Sequence, residues 1–206
     1  MAKIKNTKTE LKAQTDALKR FQRFLPMLQL KKQQLQMEIA AITGFIDALA
    51  EKEAAWRDSL SSWVALFGTS DIPEGFVTRV ATITDSGNIA GVVIPIYKGI
   101  EAKRAPVDLL ATPAWLDDAG DAIVKALEFD AEKKVLEEQR RLINEELRTT
   151  SQRVNLLEKV KIPECKENIR VIRIHLGDES TAAVARGKIA KRRGTATAEA
   201  DVEAGE

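Results

Sequence analysis

The sequence predicts a mainly helical protein: a long antiparallel two-helix coiled coil made by the N- and C-terminal helices, with a small middle region that contains a β-hairpin. Three observations predict it. Apolar residues recur at helical spacing through the first 67 residues, a second such repeat runs from about residue 115 to 193, and a β-branched stretch with turn residues lies between them. Aromatic residues are only 5% of the 206 while charged residues are 31%, a balance that suits long amphipathic helices better than a thick core.

The first helix has a start signal. Thr7 and Glu10 stand at capping-box spacing, in which hydroxyl and carboxylate each satisfy a backbone N–H that the first turn leaves free. Beyond it the seam reads Leu11, Leu18, Phe21, Leu25, Leu28, Leu35, Ile39, Ile42, Ile46, Leu49, Trp56, Leu60, Trp63 and Phe67, with Gln14, Lys32 and Glu53 in the skipped places. A 3.5-residue repeat of this length predicts a left-handed coiled coil over residues 1–67. At about 1.5 Å per residue, residues 11–67 would reach about 85 Å. Pro26 lies inside this helix.

The middle region is residues 68–114. In TRVATITDSGNIAGVVIPIY (78–97), two β-branched runs flank Asp85-Ser86-Gly87-Asn88, which predicts a hairpin over about 77–97 turning at those four residues. Val92, Ile94 and Ile96 share one face of the second strand, and Pro95 marks it as an edge strand. A two-stranded unit is marginal in water, so the coiled coil or a partner must cover that face.

The return helix occupies residues 115–193, opening near Thr112 and Pro113, and holds no glycine between Gly120 and Gly177. Its seam runs through Phe129, Leu136, Ile143, Leu147, Val154 and Leu157 and then slips. Past Pro163 it reads Ile162, Cys165, Ile169, Ile172 and Leu176, which predicts a kink or stutter at the proline. Residues 194–206, GTATAEADVEAGE, have four acids, no bases and no heptad, and are expected to be a disordered tail.

Charge is segregated although the net is +1. Residues 1–35 hold nine Lys/Arg against two acids and residues 161–193 nine against four, whereas residues 36–130 hold seven against fifteen. In an antiparallel hairpin the two basic segments meet at one end, making a positive tip and a negative base.

Enzymatic chemistry is not legible. There is no GxxxxGK[ST] loop and no metal-ligand spacing, and His175, the single histidine, has no partner motif. Cys165 cannot close an internal disulfide and sits on the seam, where a small packed residue is the simpler reading than a nucleophile. The pairs Glu137-Glu138 and Glu145-Glu146 read as a solvated face with i,i+4 partners. RGKIAKRR (186–193) taken alone reads as a solvated helix end, because it lacks the interleaved aromatics of a nucleic-acid binder. No apolar run approaches the ~18 residues of a membrane span, and the cytosol is the expected compartment.

Two strings carry a resemblance. ALKRFQRFLPMLQLKKQQLQ (17–36) and RVNLLEKVKIPECKENIRVIRIHLGDESTAAVARGKIAKRR (153–193) closely resemble the two terminal helices of the D subunit of the V/A-type rotary ATPases, the central rotor stalk. They stand in the family's order at both ends of the chain and cover about 60 of its 206 residues. The middle is similar only in kind. Cys165 and His175 depart from the pattern, where a small apolar and an aromatic residue are expected, and the acidic tail looks like an addition.

The resemblance implies a non-catalytic rotor axle, one copy per complex, that couples ATP hydrolysis or synthesis in a hexamer to H⁺ or Na⁺ transport by rotation. Implied partners are the catalytic A and non-catalytic B subunits, the small F subunit of the stalk and a funnel-like subunit on the membrane ring. No cofactor and no direct nucleotide, nucleic-acid or metal binding is implied, and the chain would be cytoplasmic, peripheral on the membrane as part of the complex. Arg186, Lys188, Lys191, Arg192 and Arg193 would face the inner wall of the hexamer, and Val92, Ile94 and Ile96 the stalk partners. Pro26 and Pro163 would kink the shaft and make it eccentric; equally open is that the partner helix merely tolerates both. The other function class is a basic-tipped arm that binds nucleic acid, which predicts salt-dependent RNA binding, or a scaffold that spaces two partners.

Overall fold

The computed structural model describes residues 5–62, 65, 76–106, 113 and 115–203, with side chains as far as Arg193. Trp63, Phe67 and Thr112 lie outside the described residues. The element order is α1 (Lys8–Leu60), β1 (Val77–Ile89), β2 (Val92–Arg104), α2 (Leu116–Leu156), a π-turn (Leu157–Lys161) and α3 (Ile162–Glu203). By contacts the chain divides into two compact units: Met1–Gln29 with Gln152–Glu206, and Leu30–Ser151.

In the first unit the helix start is half as predicted. Thr7 Oγ1 accepts the Glu10 N–H at 3.2 Å, but the Glu10 carboxylate accepts from Gln14 Nε2 at 2.8 Å, and the Thr7 N–H goes to the Lys5 carbonyl. Seam residues Leu11, Leu18, Phe21, Leu25 and Leu28 are half-buried, while Val154, Cys165, Ile169 and Ile172 are buried. Burial raises the Cys165 thiol above its ordinary value, with Glu164 adding to the effect, so it stays protonated and packs as a small apolar group. α1 continues without a break through Pro26.

The second unit holds a core of Leu35, Ile42 and Ile46 from α1, Ile143 from α2 and Ile94 from β2. The helices run antiparallel. Lys31 near the start of this stretch of α1 pairs with Glu146 at 2.6 Å, and Trp56 near its end meets Phe129 with ring centroids 5.6 Å apart. Every described place in the predicted α1 seam is buried or half-buried, including the polar Gln14, Lys32 and Glu53. Two polar residues fill seam places on α2: Gln139 and Thr150, the latter only 1% exposed. Thr149 bonds its hydroxyl back to the Glu145 carbonyl, but Thr150 Oγ1 is buried and finds no partner. A buried orphan hydroxyl costs about 1–3 kcal/mol. Thr150→Val should therefore raise stability by about 1 kcal/mol in denaturant titration; a loss of similar size would mean the hydroxyl is satisfied.

The hairpin corrects the predicted turn. β1 and β2 pair from Val77↔Arg104 to Ile89↔Val92, so the chain reverses at Ala90-Gly91. Both have positive φ, 51° and 83°, the backbone of a two-residue I′ turn. Asn88 Oδ1 accepts the Gly91 N–H at 2.9 Å and closes it. Asp85, Ser86, Gly87 and Asn88 are strand residues facing Ile96, Pro95, Ile94 and Val93. A Cβ on Gly87 would stand 2.6 Å from Ile96 Cδ1, so a larger residue there would turn the exposed Ile96 side chain aside. Each strand runs 13 residues, and β2 extends well past Tyr97 to Arg104.

The return helix is not one uninterrupted α-helix. It passes through the π-turn just before Pro163, where the seam slips, and it continues past Arg193 to Glu203. That extension differs from the disorder expected after Arg193. Ala196, Ala198, Ala200, Glu199 and Glu203 favour helix, while Gly194 opposes it most and Thr195, Thr197, Asp201 and Val202 more weakly.

Candidate functional site

The hairpin lies lengthwise on α2, fastened by polar contacts at intervals. Arg104 pairs with Asp121, Arg79 Nη1 with Asp130 Oδ2 at 3.1 Å, and Gln139 Nε2 donates to the Pro95 carbonyl at 2.5 Å. From Asp121 to Gln139 is about 27 Å along a helix, and from Arg104 to Pro95 is about 30 Å along a strand, so the two elements advance together. At the base, the Ala105 N–H bonds to the Phe76 carbonyl, and the Phe76 ring lies where a Cβ on Gly120 would approach it to 3.1 Å. The Asp130 carboxyl is held below its ordinary value, first by its hydrogen bond from Lys134 and then by the nearby Lys134 and Arg79 charges. Tyr97 is pushed up by burial, then by Glu128 and Glu132 of α2, so its phenol stays protonated.

The residues predicted to face stalk partners separate here. Ile94 is 3% exposed and belongs to the core of its own chain, Val92 is half-buried beside it, and Ile96 is 41% exposed. Of the three, Ile96 is exposed, Val92 partly so, and Ile94 is closed off.

A surface that the seam count passed over is on α1. Leu30, Met37 and Phe45 are each at least 60% exposed. Their spacings place them on one side of the helix within about 80°, together with the exposed Ala41, Gly44 and Ala48. Glycine inside a helix costs about 1 kcal/mol against alanine, and among the described residues nothing beyond its own turn of helix lies within 4 Å of a Cβ at Gly44. No internal packing explains it. The signal was in the sequence as apolar residues out of phase with the seam.

The third surface is the far part of α3. From Gly177 to Arg193 every side chain is exposed, including Val184 and Ile189 and the predicted Arg186, Lys188, Lys191, Arg192 and Arg193. His175 is exposed too. The acidic pairs are used as predicted in part: Arg141 bridges Glu138 and Glu145 on the surface, while Glu146 reaches across to Lys31. Among the described residues no cluster of His, Cys, Asp and Glu could hold a metal ion, and no helix is long and apolar enough to cross a membrane.

Three surfaces without chemistry, on a chain built from a helix pair, suit a part of an assembly. Comparison with known proteins agrees. The family model for the D subunit of ATP synthase matches residues 10–192. The D subunit of the V-type ATP synthase from Borreliella burgdorferi is 47% identical over 191 residues, 93% of this chain and 95% of the relative. Relatives of the same name from Chlamydia muridarum and Chlamydia caviae are 35% and 32% identical, each over 93% of this chain and 96% and 94% of their own length.

Proposed function

The chain belongs to the family of ATP synthase D subunits, and from that premise we propose that it is the axle of its rotary ATPase, with no catalytic group of its own. It is a stalk component of a V-type ATP synthase, part of a membrane-associated complex. The observation that carries the axle reading is the stretch of helix whose every side chain is exposed. Residues 177–193 span about 25 Å, and an isolated helix of that length is marginal in water without tertiary packing. A surrounding wall of catalytic A and non-catalytic B subunits would supply that packing, with Arg186, Lys188 and Lys191–Arg193 against it. One asymmetric shaft inside a ring presents different surfaces to chemically equal sites, and so biases each toward a different state.

The stripe on α1 is the surface for the small F subunit of the stalk. Leu30, Met37 and Phe45 flank a floor of Ala41, Gly44 and Ala48, a shape that admits a partner helix at close range. Phe45→Glu should leave the stability of the isolated chain within about 0.5 kcal/mol, because the side chain touches no core. It should abolish recovery of the F subunit in co-purification; undiminished recovery would move the docking site elsewhere, with Ile96 the next candidate.

Co-expression of the chain with the A, B and F subunits tests the function as a whole. A complex holding one copy of this chain is expected. Retention of several copies, or none, would contradict the axle.

A further inference from the structure

The seam of the return helix changes phase just before Pro163. Ile143, Leu147, Thr150, Val154 and Leu157 follow one another at gaps of four, three, four and three, all buried or half-buried. The same rhythm would next reach Lys161, Glu164, Asn168, Val171 and His175. The residues that carry the seam instead are Ile162, Cys165, Ile169, Ile172 and Leu176, each one place later.

The π-turn sits at that step. The Ile162 N–H donates to the Leu157 carbonyl, five residues back, and such a turn contains one residue more than the α-helix would. One inserted residue accounts for one residue of phase. Between Val154 and Cys165 no side chain is buried. Pro163 follows directly and has no N–H to offer, so the hydrogen-bond ladder cannot close there.

We infer that Leu157–Lys161 is a built-in yield point: an inserted residue that keeps the seam in phase on both sides, in a stretch where no side chain is fully buried and the ladder is open, so that resistance to twisting is lowest there. The use of such a point rests on the axle reading, since a shaft driven at one end and loaded at the other takes up twist where it is softest. The yield point itself is a property of the chain alone.

Amide hydrogen exchange and thermal melting of the full chain test it. Deleting Val160 together with Pro163→Ala removes the extra residue, restores the rhythm from Leu157 to Ile162 and Cys165, and permits an unbroken ladder. Pro163→Ala alone keeps the extra residue, and deleting Arg170 throws a regular stretch out of phase. In the unaltered chain, amides of 157–162 should exchange about tenfold or more faster than those of 143–150 and 169–172. Pro163→Ala should leave this contrast in place; the double change should remove it and raise the melting temperature; loss of Arg170 should lower it. Equal protection in the unaltered chain would overturn the inference. So would loss of the contrast with Pro163→Ala alone, or a double variant that melts as low as the Arg170 deletion. Failure of the unaltered chain to enter a one-copy complex would count against the axle and leave the exchange result standing.

Discussion

Replacing Ile94 with aspartate should disrupt the second unit and only secondarily any partner. Ile94 is 3% exposed among Leu35, Ile42, Ile46 and Ile143, so truncating it to alanine already costs about 2–5 kcal/mol. A carboxylate there must also be desolvated or protonated among apolar neighbours. The ribbon then loses its one buried core side chain on β2, and its ion pairs at Asp121 and Asp130 are partly exposed and worth little each. Ile94→Asp should lower the denaturation midpoint and expose the hairpin to limited proteolysis, whereas Ile96→Asp should do neither. If Ile94→Asp melts normally and loses only a stalk partner, Ile94 is a docking residue and the core described above is wrong.

Removing residues 177–206 should uncouple the complex, while removing 194–206 should not. Every side chain of residues 177–193 is exposed, so neither truncation should lower the melting temperature of the isolated protein by much. In reconstituted vesicles the shorter chain should lose ion pumping more than ATP hydrolysis, because contacts along a shaft share torque and a rotor without its tip slips before the chemistry stops. Equal effects from the two truncations would refute this division of the helix, and a larger loss from the short deletion would reverse it.

Local periodicity made most of the fold readable. Leu35, Ile42, Ile46 and Leu49 are buried as counted, because a seam repeating every 3.5 residues depends only on neighbours a turn away. The slip near Pro163 was legible for the same reason and proved to be the π-turn. What failed depended on packing across the chain. Asp85-Ser86-Gly87-Asn88 has turn chemistry, yet these residues pair across the ladder with Ile96 to Val93, and the true turn, Ala90-Gly91, has only one residue that favours positive φ. Gln139 and Thr150 were skipped because polar residues do not announce burial; Gln139 is there for the Pro95 carbonyl. The face of Val92, Ile94 and Ile96 was expected to be covered by the coiled coil or by a stalk partner, and at Ile94 the chain's own helices cover it. Alternation on a strand says which residues share a face, not whether that face turns to the chain's own helices or to solvent.

Rotation itself is the most direct measurement. With the hexamer fixed to a surface and a probe attached to this chain at exposed Ser86, ATP should drive the probe in one direction with three equivalent dwell positions, and removal of ATP should stop it. ATP hydrolysis at full rate with the probe fixed relative to the hexamer, or moving equally in both directions, would contradict the axle.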